Sequence, residues 1–85
     1  MVVIRVQVHP RYGNMAVLRD LQQPLDAFLA QVGLSGYAAA AEEEGCDKHS
    51  LLITPWPGLV SMGFKTGHCT RIVEIASMLG LTRLQ

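Results

Sequence analysis

Eight glycines stand singly along this chain, at 13, 33, 36, 45, 58, 63, 67 and 80, and four prolines join them at 10, 24, 55 and 57. Glycine opens positive φ, and proline fixes φ while removing a donor, so each marks a turn or an element end. A chain punctuated this often must be built from short elements. At 85 residues it forms one domain around one core.

Between the breakers, Val2, Ile4, Val6 and Val8 share one face of an extended segment, and Val3, Arg5, Gln7 and His9 share the other. This period of two predicts a half-buried strand, closed by the turn residues of 9–14. Leu18, Leu21, Leu25, Phe28, Leu29 and Val32 recur at helical spacing, with Asn14 a cap for a helix starting at Met15. A proline inside that helix costs about 3 kcal/mol, so Pro24 is expected at its first position, with the helix running to Val32. Residues 15–21 then form either a second strand or a short preceding helix. Gly33-Leu34 supplies a Schellman-type stop.

Residues 37–44, 50–54 and 59–65 read as three further strands, although the four alanines and three glutamates of the first prefer helix. Cys69, Ile72, Val73, Ala76 and Leu79 make one face of a final helix, stopped by Gly80-Leu81. The expected fold is α+β: an antiparallel sheet of four to five strands with two helices packed on one face, in ββαβββα or βαβββα order. With 15–21 extended, the opening has the strand-turn-strand-helix order of β-grasp domains, a resemblance of architecture without a motif. The Gly-Gly tail of β-grasp carriers has no counterpart in Thr82-Arg83-Leu84-Gln85. Two short helices cover only one side of such a sheet. Val3, Leu59, Leu51 and Ile53 are therefore expected on an open face.

Charge narrows the partners. Seven basic residues balance seven acidic ones, and the basic ones are scattered, which gives no footprint for nucleic acid. No apolar run approaches the ~18 residues of a membrane span, and the alternating N-terminal stretch lacks the basic region of a secretory signal. The cytoplasm is the expected compartment, where two cysteines are thiols or ligands rather than a disulfide. Charged residues make up 16% of the chain, below the usual ~25%, which favours a partner-covered surface.

Three constellations carry chemistry. Cys46-Asp47-Lys48-His49 and His68-Cys69 offer thiolate and imidazole ligands suited to tetrahedral zinc, provided that the adjacent His68 and Cys69 sit in irregular backbone before the last helix. The same thiols, with His49 or His68 as base, outline a cysteine nucleophile. Pro55-Trp56-Pro57-Gly58 holds the only tryptophan between two stiff residues, so Trp56 loses little entropy when a partner immobilises it, or else it closes the core. No glycine-rich nucleotide motif is present. The leading expectation is a non-enzymatic protein-interaction module, regulatory, adaptor or inhibitory, binding another protein or a second copy of itself through Trp56, Val3, Arg5 and Leu59. A module stabilised by zinc at Cys46, His49, His68 and Cys69 is the alternative, and a cysteine-dependent enzyme a weaker one.

Overall fold

The computed structural model describes residues 8–81, and among them it is mostly helical. Strands β1 (Val8–His9) and β2 (Gly13–Asn14) pair antiparallel and lead into α1 (Met15–Arg19). Then come α2 (Leu25–Gln31), a 3-10 turn (Ser35–Tyr37), α3 (Ala38–Glu43), α4 (Lys48–Leu52), α5 (Trp56–Ser61) and α6 (Thr66–Met78). The expected sheet of four to five strands with two helices is overturned: six α-helices accompany a single two-residue hairpin among the described residues. The β-grasp order falls with it, because residues 15–19 are helical.

Local chemistry explains each correction. Asn14 Oδ1 accepts the Ala16 and Val17 N–H groups at 2.8 and 3.2 Å, which starts α1 in place of a second strand. The alanines of 37–44 follow their own propensity and form α3. Asp47 caps α4 by accepting Ser50 N–H at 2.7 Å. Pro55 is the N-cap of α5 and Pro57 lies in its first turn, where backbone N–H groups have no helical acceptor in any case. The Pro-Trp-Pro sequence therefore opens a helix instead of separating two strands.

Helix ends follow one rule. Gly33, Gly45, Gly63 and Gly80 all have φ between 70 and 93°. The apolar residue after each donates its N–H five residues back: Leu34 to Leu29 O, Cys46 to Ala41 O, Phe64 to Leu59 O and Leu81 to Ala76 O, at 2.7 to 3.1 Å. These are Schellman stops, and each turns an apolar side chain onto the core. Two were expected, at Gly33-Leu34 and Gly80-Leu81; the other two fall where a turn and a strand were expected.

The stops fold the short helices around α6, which buries Cys69, Ile72, Ile75 and Ala76. Helices α4 and α5 pack against α6 with Leu51, Leu52 and Leu59, and Phe28 and Leu29 of α2 belong to the same core, all five with no exposed surface. Each such side chain contributes about 1.5–3 kcal/mol on leaving water. Leu59 and Leu51, expected on an open sheet face, are thus core residues, and Ile53 is half-buried. Val3 and Arg5, with all of the 2–8 strand except Val8, lie outside the described residues.

Candidate functional site

Helix α5 separates its residues into two faces. Leu59 points into the core, while Trp56 and Val60, four residues apart and hence one above the other, remain 38% and 52% exposed. The strip is held firmly from behind. A Cβ at Gly58 would lie 2.7 Å from Thr54 Cγ2, so a larger residue there would force Thr54 or the start of α5 to shift. Phe64, turned inward by the Gly63 stop and stacked on Tyr37 with ring centroids 4.1 Å apart, anchors the other end. Trp56 therefore does not close the core. It lies with Val60 as an apolar strip on a six-residue helix.

A cavity of about 300 Å³ flanks α5, lined by Glu44, Cys46, Thr54, Gly58, Ser61 and Met62. Burial pushes the Cys46 thiol up, and the Glu44 and Asp47 carboxylates push it further in the same direction. A thiol so placed keeps its proton at neutral pH, the reverse of what a nucleophile requires. Cys69 is fully buried under α6, its Sγ–H donating to Phe64 O at 3.6 Å.

The two histidines have separate surroundings. His49 is exposed on α4. His68 is half-buried in the first turn of α6, where its Nδ1 shares a hydrogen bond with the Tyr37 hydroxyl, which also accepts the Lys65 N–H at 3.4 Å. Among the described residues, Cys46, His49, His68 and Cys69 are not brought into one cluster, and no group of three or more His, Cys, Asp or Glu side chains is placed to hold a metal ion. His68 and Cys69 both lie inside regular helix, where neighbours diverge by ~100°.

Two further features carry no legible signal in the sequence. Lys48, read only as part of a Cys-x-x-His spacing, is fully buried, and the three N–H donors of its ammonium are shared among Val17 O, Leu18 O, Asp20 O and Gln23 Oε1, at 2.6 to 3.1 Å. Arg11 and Arg71, far apart in the chain, line the same cavity. Among the described residues no helix is long and apolar enough to cross a membrane. No protein-family model, curated protein or solved structure matches the chain.

Proposed function

We propose that the chain is a small protein-interaction module without catalysis of its own, which docks a protein partner on the Trp56–Val60 strip of α5. The observation that carries this reading is the pairing of two exposed apolar side chains on one face of a helix whose opposite face is locked into the core. A tryptophan on stiff backbone suits an interface anchor, because little conformational freedom is lost when it is covered. The raised Cys46 thiol and the sequestered Cys69 support a binding role over a thiol-dependent reaction. A second copy of the chain and a different protein are both compatible with this surface.

Val60→Ser and Trp56→Ala test it, since neither side chain is part of the core. Sedimentation of the purified chain reports a second copy, and affinity capture with wild type beside the two variants reports a different partner. Self-association or a captured protein that is lost in both variants, at an unchanged thermal midpoint, supports the reading. A partner retained equally by wild type and both variants removes it.

A further inference from the structure

The fold gathers two arginines that the sequence keeps far apart. Arg11, in the turn between β1 and β2, and Arg71, on α6, line a cavity of about 500 Å³ completed by Tyr12, Gln31 and the end of α2. We propose that this cavity binds an oxyanion, a carboxylate or phosphate group held between the two guanidiniums.

Gln31 and Arg71 are held by hydrogen bonds within the protein. Gln31 Nε2 donates to Tyr12 O and Asn14 O at 2.8 and 3.3 Å, and its Oε1 accepts from Gln23 Nε2 at 3.1 Å. Arg71 Nη1 donates to Val32 O at 3.0 Å, which orients the guanidinium while engaging one of its five N–H donors. The same bond offsets part of the negative end of the α2 dipole. The carbonyl end of a helix repels anions, but at α2 Gly33 N–H covers Ala30 O, Leu34 N–H covers Leu29 O, and Arg71 covers Val32 O. A Cβ at Gly33 would lie 3.3 Å from Arg71 Nη1, a tight contact that the guanidinium would have to ease by a few tenths of an ångström.

Charge sets the ligand class. Glu74 Oε2 lies 3.5 Å from Arg11 Nη1 and accepts the Tyr12 hydroxyl at 3.1 Å, so among the described residues one carboxylate is paired at a site lined by two guanidiniums. The excess positive charge is left for a ligand, and the planar guanidinium matches the oxygen spacing of carboxylate and phosphate. Arg11 is 71% exposed in its side chain, so its contribution is screened by salt. The cavity shares no residue with the Trp56–Val60 strip, so either reading stands or falls without the other.

Inorganic phosphate and acetate, titrated separately into the isotope-labelled chain at low ionic strength, test the proposal by NMR. Saturable shifts at the Gly33 amide, the Gln31 side-chain amide and Arg71 Nε are expected; saturation by phosphate alone identifies a phosphate ligand, and saturation by acetate as well a carboxylate. Arg11→Gln, which leaves every core contact in place, should weaken binding by roughly fivefold, the size of one exposed ion pair. Glu74→Gln should tighten it by removing the competing charge. Absence of saturation with both probes up to about 20 mM, near the weakest affinity two charge contacts should give, overturns the site. Wild-type affinity in both variants overturns it equally.

Discussion

Lys48 is the residue on which the N-terminal part of the described chain depends. Its ammonium reaches from the first turn of α4 to the last carbonyls of α1, the groups a helix leaves without partners, and lies 5.0 Å from the centroid of the Phe28 ring. Burial pushes its pKa below the ordinary lysine value, and nearby Asp20 offsets only part of that. Four acceptors compensate for the lost water. Lys48→Met keeps the length but leaves the buried Leu18 carbonyl without the ammonium, while Val17 O and Asp20 O keep the Asp20 and Gln23 N–H groups, so urea unfolding should show a loss of about 1–3 kcal/mol; an unchanged midpoint would refute the role. Nothing in the sequence around position 48 separates this lysine from an exposed one, because its acceptors lie some thirty residues earlier.

Asp47, its neighbour, does have a local signature, the cap-forming Asp-x-x-Ser. Hydrogen bonds from Ser50 hold its carboxyl below the usual aspartate range. Because the folded value is the lower one, the stabilisation is present above the unfolded pKa of about 3.9 and is lost as pH falls through the folded value. Asp47→Ala should therefore cost about 1 kcal/mol at neutral pH, with a gap to wild type that closes in acid. A gap that stays constant down to pH values well under that unfolded pKa of about 3.9 would show that the cap is not ionic.

Among the elements, the glycine-apolar stop is the repeated device. Gly63, with φ of 93°, shows its cost most clearly: Gly63→Ala should lose about 1–2 kcal/mol, because an L side chain resists that conformation. Gly67, inside α6 with no neighbouring atom within 4 Å of where a methyl group would stand, should behave in the opposite way. Gly67→Ala should gain about 0.5–1 kcal/mol in thermal or urea unfolding, and equal effects at the two sites would remove the distinction. These short elements also explain what was legible in the sequence. The α2 stop at Gly33-Leu34 and three buried residues of α6, Cys69, Ile72 and Ala76, were readable because they belong to the longer periodic stretches; the buried Ile75 was missed, and Val73 and Leu79, expected on that face, are half-buried. Helices α3, α4 and α5 hold five or six residues each, too few for a period of 3.6 to stand out from one of two. In 59–65 the apparent alternation of Val60, Met62 and Phe64 has a different origin, an exposed residue, a helix end and the inward residue of a stop. The local setting of Trp56, an aromatic between two prolines, was legible. Its pairing with Val60 was not, since it needs the helix.

For the whole molecule, the consequence is a core that includes one face of α6, and an exposed apolar strip on α5. The proposed interaction role rests on that strip. The sole tryptophan lies in it, so the protein carries its own reporter. Trp56 emission, followed while the captured partner or rising concentrations of the chain itself are added, reports whether the strip is covered. A shift to shorter wavelength is expected as the indole leaves water, saturating with binding and weakened in Val60→Ser. Binding that saturates by an independent measure while Trp56 emission stays unmoved would contradict an interface on α5.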